Sequence, residues 1–217
     1  MIPVVSIVGN SGSGKTTLLE RLITEIRGRG YSVAVVKHAG QDFEIDRQGK
    51  DSWRFMQAGA DFVVVSSPAK LALIRASEHE ASLEELSRFI GADFNLILTE
   101  GYRQDKAPKI EVHRKELGSD LYCSPQQLLA VVTDEPLEMS IPQYSMEDIK
   151  GVADLIEQRF LGDREEDMAL FINGKSVPLN PFIKGMLGKT LTGMVSSLKG
   201  VEEVNRLDIW LKCKGKD

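Results

Sequence analysis

The sequence predicts an α/β fold with a mostly parallel sheet flanked by helices, followed by a small C-terminal α+β unit. Three observations predict it. Short apolar runs rich in β-branched residues alternate with helical segments through most of the chain, as in a parallel sheet covered by helices. A glycine-rich stretch, GNSGSGKT, directly follows the first run. After residue 163 the alternation gives way to a hairpin-and-helix pattern.

The predicted strands and helices follow from apolar periodicity and from residues that start or stop helices. The predicted strands are Val4–Val8, Val33–Val36, Phe62–Val65, Leu71–Ile74, Phe94–Leu98, Ile110–Val112 and Leu128–Val132. The predicted helices are Thr17–Arg27, Asp51–Ala58, Leu83–Ile90 and Met146–Phe160. Ser82 is the expected N-cap of the third helix.

The polar stretch Gly162–Asp167 predicts a boundary that divides the chain into residues 1–163 and 164–217. In the second part, Asn173-Gly174 between two alternating runs predicts a β-hairpin. Asn180-Pro181 starts a helix with a broad apolar stripe up to Leu198, and Leu207–Leu211 is predicted to be a strand. The apolar stripe leads us to expect a homodimer.

The composition excludes several classes of protein. The chain of 217 residues has a formal net charge of −5, which argues against nucleic acid or an anionic membrane as its main partner. Two distant cysteines, Cys123 and Cys213, fit a reducing compartment and exclude a disulfide framework. No signal peptide and no apolar stretch of about 18 residues is visible. We therefore expect a cytoplasmic protein without a membrane span.

The glycine-rich stretch is a complete P-loop motif, Gly9-x-x-x-x-Gly14-Lys15-Thr16, between a strand and a helix. Its glycines allow backbone amides to turn toward a phosphate, and the following helix adds its positive end. We expect Lys15 to bridge the β- and γ-phosphates, Thr16 to bind Mg²⁺ and Thr17 to reach the α-phosphate. The predicted phosphate-binding residues are Gly9, Asn10, Ser11, Gly12, Ser13, Gly14, Lys15, Thr16 and Thr17. The sequence therefore predicts a P-loop NTPase.

A P-loop requires an acidic residue at the end of another buried strand. The apolar run FNLILTEG ends in Glu100-Gly101, the position of a Walker-B acid. Glu100 is expected to hold Mg²⁺, directly or through a water molecule, and Gly101 to approach the nucleotide. The alternative is an exposed acid at a strand end.

Residues Lys37 to Ala60 point to a particular family. Lys37-His38 end the second strand, an Asp-x-x-x-Asp-x-x-Gly-Lys-Asp-Ser run spans Asp42 to Ser52, and Ala-Gly-Ala follows at Ala58–Ala60. Together with the P-loop and LILTEGYR, this order resembles the molybdopterin-guanine dinucleotide biosynthesis protein B family, a group of P-loop GTPases. The resemblance covers roughly residues 3 to 160 and leaves out the C-terminal unit.

The resemblance implies a protein that binds GTP, hydrolyses it weakly and assists attachment of a guanine nucleotide to molybdopterin. Its expected ligands are GTP and Mg²⁺, and its expected partner is the nucleotidyltransferase that performs the attachment. Tyr102-Arg103 departs from the Phe-Lys common in the family, although arginine keeps the positive charge. A role near the nucleotide or pterin is implied for His38, whereas a lone histidine at a strand end is usually structural.

Two further acidic positions are candidates for nucleotide recognition and hydrolysis. Asp46, with Asp42 second, is the expected residue to orient the attacking water or to join the metal's outer shell, unless the segment is a solvated acidic loop. Asp134 ends a late strand, where a carboxylate can accept hydrogen bonds from N1–H and the N2 amine of guanine. Alternatively, Asp134 only caps a turn.

Other interpretations remain open at this point. The same loop serves small-molecule kinases, and a non-hydrolysing adaptor could use nucleotide only to control binding of the transferase. The basic residues of Arg103–Lys115 could bind a pterin phosphate or an acidic partner surface, or could simply be solvated. No arginine finger is assigned, although Arg47, Arg54 and Arg103 are available.

Overall fold

A computed structural model of the chain describes residues 2–40, 46–91, 93–162, 168–173, 175–204, 206–209 and 211. These residues divide into two compact units, one ending at Gly162 and the other made of the residues that follow it. The strands are β1 (Val4–Val8), β2 (Val33–Lys37), β3 (Phe62–Ser67), β4 (Lys70–Arg75), β5 (Leu96–Glu100), β6 (Lys109–Val112), β7 (Leu128–Val132), β8 (Gln143–Tyr144), β9 (Leu170–Ile172) and β10 (Lys175–Val177). The α-helices are α1 (Lys15–Gly28), α2 (Asp51–Gln57), α3 (Leu83–Ile90), α4 (Ile149–Ile156) and α5 (Pro181–Ser196).

The first unit contains a six-stranded sheet in the order β2-β5-β1-β6-β7-β8, and all its strand pairs are parallel. The predicted fold class is therefore confirmed. The central strands β1 and β5 are apolar and almost completely buried, as expected for a sheet with helices on its faces. The short edge strand β8 has no counterpart among the predicted strands. Since parallel strands end at one edge, β1, β2, β5, β6 and β7 bring their following loops together there.

Helix α1 is held on the sheet by an apolar face and at its end by ion pairs. Leu18, Leu22 and Ile26 are completely or almost completely buried at helical spacing. Beyond the last turn, Arg29 donates hydrogen bonds to Glu25, to Asp154 on α4 and to Glu157. The hydrogen bond from Arg29, together with one from the Tyr31 hydroxyl, holds the pKa of Glu157 below its usual value. The contacts of Arg29 fix the helix that begins at the P-loop lysine.

Helix capping explains where two other helices begin. Ser82 forms a complete capping box with Glu85, which confirms the predicted start of α3. Helix α4 was predicted to begin at Met146 but begins at Ile149, because the carboxylate of Asp148 accepts a hydrogen bond from Gly151 and so acts as N-cap. Residues Glu157–Leu161 continue as a π-helical turn.

Strands β3 and β4 do not belong to the parallel sheet, which corrects the sequence interpretation. They form a separate antiparallel two-stranded sheet. Only Pro68 and Ala69 lie between them, and a parallel pair would need a crossover of a dozen or more residues. Apolar runs alone do not distinguish the two arrangements.

The second unit contains the predicted hairpin and helix. Strands β9 and β10 pair antiparallel, and Asn173 in their turn has a positive φ of 50°. Asn180 caps α5 by accepting a hydrogen bond from Ile183. The described residues of the predicted strand Leu207–Leu211 form no strand, and Ile209 and Leu211 are exposed. Across the part of the chain that the structure describes, no helix has the length and apolar character of a membrane span.

Candidate nucleotide-binding site

The loop from Gly9 to Gly14 joins β1 to α1 and depends on glycine at three positions. Gly9, Gly12 and Gly14 have φ values of 140°, 79° and 97°, which L side chains rarely adopt. A Cβ atom at Gly9 would lie 2.4 Å from the carbonyl oxygen of Val112 at the end of β6. The loop therefore lies directly against the neighbouring strand, and glycine is required there for space as well as for conformation.

Lys15 lies at the first position of α1 and bends back over the loop. Its Nζ donates to the carbonyl oxygens of Gly9, at 3.0 Å, and Asn10, at 2.7 Å. Burial lowers the pKa of Lys15, and the nearby carboxylate of Glu100 partly offsets this effect. An ammonium held on two loop carbonyls can exchange these acceptors for phosphate oxygens without a change of fold.

Thr16 and Glu100 are 84 residues apart in the sequence and are in direct contact. The Thr16 hydroxyl donates to Glu100 Oε2 at 2.9 Å. The contact arises because β5, which ends at Glu100, pairs with β1, which leads into the loop. The hydroxyl and the carboxylate supply hard oxygen ligands, which Mg²⁺ prefers.

These two residues fit a magnesium site of the kind that uses few protein ligands. Mg²⁺ usually keeps several waters and is bound through one or two protein oxygens together with substrate phosphates. The site is therefore suited to a metal that arrives with a phosphate ligand.

Gly101 follows Glu100 directly after β5 and lies against His38, which follows β2. Gly101 has a φ of 99°, and a Cβ atom there would lie 2.9 Å from the Cβ of His38. His38 Nε2 is 2.6 Å from Glu80, and its ring centroid is 5.1 Å from that of Tyr102, which itself has a positive φ of 57°. These contacts describe a structural role for His38, and its predicted role near the nucleotide or pterin stays a prediction.

Comparison with known proteins identifies the family. A family model described as molybdopterin guanine dinucleotide synthesis protein B matches residues 4–134. The chain belongs to this family. The resemblance noted from the sequence is thus confirmed, and the P-loop and Glu100 fall within the matched part.

Curated relatives carry related names. A molybdopterin-guanine dinucleotide biosynthesis adapter protein of Haemophilus influenzae is 39% identical over 157 residues, covering 72% of this chain and 88% of the relative. The adapter protein of the same name in Escherichia coli is 34% identical, and the match covers 72% of this chain and 92% of the relative. A putative adapter protein of Methanocaldococcus jannaschii is 24% identical but covers 95% of this chain and 96% of the relative. This last match therefore includes most of the C-terminal unit.

Solved structures of the family have the same fold. The crystal structure of a molybdopterin-guanine biosynthesis protein B is 32% identical, with a TM-score of 0.58 over 73% of this chain and 99% of that one. The protein in the crystal structure of Bacillus subtilis MobB is 27% identical, with a TM-score of 0.61, and the match covers 75% of this chain and 100% of that one. The chain therefore has a role in molybdopterin guanine dinucleotide biosynthesis.

Asp134, the candidate for base recognition, lies two residues beyond β7 and contacts the loop that follows β6. Its Oδ1 accepts a hydrogen bond from the backbone amide of Lys115 at 3.0 Å, and its Oδ2 is 3.6 Å from Arg114 Nη1. The Lys115 amide, helped by Arg114, holds the pKa of Asp134 below its usual value. An ionised carboxylate has about four acceptor positions, so two remain for a base. Holding the loop after β6 and recognising guanine are therefore compatible roles, and the turn into Glu135 is closed by the hydroxyl of Thr133.

Asp46 is placed in a different environment from the one that its predicted role suggests. Its Oδ1 accepts a hydrogen bond from Ser52, and its Oδ2 is buried without a hydrogen-bond partner among the described residues. Together with residues of α2 and β3, it lines an open groove of about 620 Å³. In the described ranges no hydrogen bond joins Asp46 to Lys15, Thr16 or Glu100. Its catalytic and metal-binding roles stay predictions, and Asp42 lies outside the described residues.

The basic segment Arg103–Lys115 is not a uniform solvated surface. Lys109 is completely buried and donates to the carbonyl oxygens of Asp105 and Ala107. His113 is buried 3.3 Å from Glu135, and the Arg103 guanidinium stacks on the Tyr122 ring, 4.2 Å from its centroid. Several of its charges therefore contact other parts of the protein and do not simply face solvent.

Two residues at this edge were not assigned individual roles from the sequence. Lys37 ends β2 directly opposite Glu100 in the register, and its Nζ lies 3.5 Å from Glu100 Oε1. Arg114 follows β6 and donates from Nε to the carbonyl oxygen of Ser13 in the loop at 3.1 Å. The signal in the sequence was a cation at the end of an apolar run or shortly after it, but the sequence did not show which strand each run would neighbour.

Proposed function

We propose that the chain is a GTP-binding protein with slow Mg²⁺-dependent GTPase activity that assists guanine-nucleotide attachment to molybdopterin. The observation that carries the proposal is the 2.9 Å contact between Thr16 and Glu100 beside Lys15 and the glycine-rich loop. A threonine hydroxyl, a strand-end carboxylate and a lysine at the start of a helix together are the protein's part of a nucleoside triphosphate site.

Each residue of the site has a distinct task in this proposal. The loop amides and the positive end of α1 bind the phosphates, and Lys15 leaves the carbonyl oxygens of Gly9 and Asn10 to bind the terminal phosphates. Thr16 and Glu100 hold Mg²⁺, which when bound supplies positive charge next to the phosphates. Lys37, 66% exposed and 3.5 Å from Glu100, adds a second cation on the same side. Asp46, or Asp42, orients water.

Slow hydrolysis is part of the proposal. Catalysis by these residues is positional and electrostatic, and P-loop GTPases that lack an arginine finger turn over slowly. Among the described residues, Arg103 is committed to Tyr122 and Arg54 lies 3.7 Å from Asp51. Neither contact directs a guanidinium at the loop, and Arg114, which does reach the loop, is engaged by the carbonyl oxygen of Ser13 and by Asp134.

Recognition of guanine is assigned to Asp134. Guanine offers two donors, N1–H and the N2 amine, to an ionised carboxylate, whereas adenine offers neither and would leave the carboxylate unpaired. We expect the wild-type chain to prefer GTP over ATP by at least about 100-fold.

Asp134→Asn tests this assignment. The substitution keeps the shape of the side chain, and its oxygen can still accept the hydrogen bond from Lys115. Its amide repels the N2 amine of guanine but donates to the C2 carbonyl of xanthine. We expect GTP affinity to fall at least about tenfold and XTP affinity to rise, measured by titration calorimetry. Unchanged GTP affinity would show that Asp134 has only a structural role, through its contacts with Lys115 and Arg114. A wild-type preference for ATP would instead support the kinase alternative.

A second candidate is a nucleotide-dependent adaptor without hydrolysis, which the names of the curated relatives favour. In that case the nucleotide controls binding of the nucleotidyltransferase partner, and no phosphate is released above background. Phosphate release in the presence of the transferase, measured alongside GTP-dependent complex formation, separates the two functions.

The remaining parts of the proposal concern the second unit, the oligomeric state and the cellular location. We propose a homodimer in which α5 contributes an apolar face, because Phe182 and Met194 are 75% and 64% exposed and no buried residue is found on this helix. Residues 164–217 are then a separate α+β unit attached to the GTPase domain of residues 1–163. A cytoplasmic location, with no nucleic acid as partner, completes the proposal.

A further inference from the structure

The guanidinium of Arg114 connects two parts of the candidate site that are far apart in the sequence. Its Nε donates to the carbonyl oxygen of Ser13 in the phosphate loop at 3.1 Å, and its Nη1 lies 3.6 Å from Asp134 Oδ2. Its Nη2 would be 3.6 Å from a Cβ atom built on Gly14. All three nitrogens of one planar group are therefore placed between the loop and the predicted base-recognising carboxylate.

The position of Arg114 is fixed by the sheet. Strand β6 lies between β1, which leads into the loop, and β7, which leads to Asp134. The amide of His113 continues the pairing with Val132, so Arg114 is the first residue free to reach across both neighbours. Its side chain is 24% exposed, so solvent competes only partly for its hydrogen bonds.

Arginine is suited to this task in a way that lysine is not. A guanidinium is planar and carries five N–H donors in fixed directions, so it can hold two acceptors at a set distance and angle. An ammonium is a point charge on a flexible stem and fixes neither. The distance between the loop and Asp134 must match the distance between the phosphates and the base of one nucleotide.

We propose that Arg114 is a positioning residue that holds Asp134 at a fixed distance from the phosphate loop and so determines the preference for guanine. The inference rests on the proposed function, because it requires Asp134 to recognise the base. Arg114 acts through Asp134 and the Ser13 carbonyl. Without it, the phosphate loop still binds phosphates, but the base-recognising carboxylate is no longer held in register with them.

The test compares ligands that use different parts of the site. Affinities for GTP, ATP and inorganic tripolyphosphate are measured with Mg²⁺ for the full wild-type chain, Arg114→Ala, Arg114→Lys and Lys106→Ala. Lys106 is the matched control, because it is an exposed cation of the same basic segment, and the described structure shows no contact between it and Ser13 or Asp134. Thermal unfolding of each variant checks that it is folded.

We expect Arg114→Ala to lower GTP affinity about 10- to 100-fold while tripolyphosphate affinity changes by less than about threefold. The ratio of GTP to ATP affinity should fall by a similar factor, Arg114→Lys should lie between Arg114→Ala and wild type, and Lys106→Ala should match the wild type. An equal loss for GTP and tripolyphosphate would overturn the inference, because it would show a role in loop structure alone. An unchanged GTP to ATP ratio would also overturn it.

The failure of the proposed function has a different signature. If the wild-type chain itself shows no preference for GTP over ATP, Asp134 does not recognise guanine, and the inference about Arg114 falls with that assignment. If the wild type prefers GTP and Arg114→Ala behaves like Lys106→Ala, the proposed function stands and only the role of Arg114 is refuted.

Discussion

Replacing Lys15 by alanine is expected to reduce GTP affinity by at least about 100-fold, to the limit of detection in a calorimetric titration. The ammonium is the only cation in direct contact with the backbone of the loop apart from Arg114, within the described residues. Its charge-assisted hydrogen bonds to the terminal phosphates are strong because the site is partly shielded from water.

The matched control for this variant is Arg27→Ala, which removes one positive charge from the exposed last turn of the same helix. It should bind GTP as the wild type does. Thermal unfolding of Lys15→Ala shows whether release of the Gly9 and Asn10 carbonyls affects the fold. A folded Lys15→Ala variant with the GTP affinity of Arg27→Ala would contradict the assignment of the loop.

Replacing Gly9 by alanine is expected to cost about 2–4 kcal/mol of unfolding free energy and to abolish nucleotide binding. The new Cβ would lie 2.4 Å from the carbonyl oxygen of Val112, in a backbone conformation with φ of 140°. The Val112 oxygen belongs to the backbone of the buried strand β6, and position 9 directly follows the buried strand β1, so no flexible side chain can move away. Either β6 shifts relative to β1 or the loop changes shape, and chemical denaturation measures the cost.

Gly12→Ala is the matched control. Gly12 also has a positive φ, 79°, but a Cβ atom there would have no neighbour within 4 Å. Only the conformational cost of about 1–2 kcal/mol applies. Equal destabilisation by the two substitutions would show that the contact with Val112 is unimportant and that only the backbone conformation requires glycine at position 9.

The central part of the site could be predicted from the sequence because it depends on local signals. A strand, a glycine-rich loop and a helix follow one another without interruption between Val4 and Gly28, and each has its own pattern. Glu100 could be predicted because a buried strand that ends in a single carboxylate must place it at the carboxyl edge of the sheet. The contact between Thr16 and Glu100 follows from these two signals and from parallel pairing.

Other features depend on which elements become neighbours, and local patterns do not contain that information. The role of Arg114 requires β6 to lie between β1 and β7, an order that differs from the order along the chain. The pairing of Lys37 with Glu100 likewise requires β2 next to β5. Strands β3 and β4 could have been assigned as an antiparallel pair, because the five residues between the two predicted runs, 66–70, are too few for a parallel crossover. For Asp46, sequence spacing to the second strand gave no information about its contact with Ser52.

The measurement that tests the central claim most directly is a calorimetric titration of GTP into the wild-type chain, first with Mg²⁺ and then with an excess of chelator. Our account predicts one saturable site per chain that weakens at least about tenfold without Mg²⁺, and it predicts that Glu100→Gln loses most of this dependence on the metal. No saturable binding, or the same affinity with and without Mg²⁺, would contradict the assignment of Thr16 and Glu100 to a magnesium-nucleotide site.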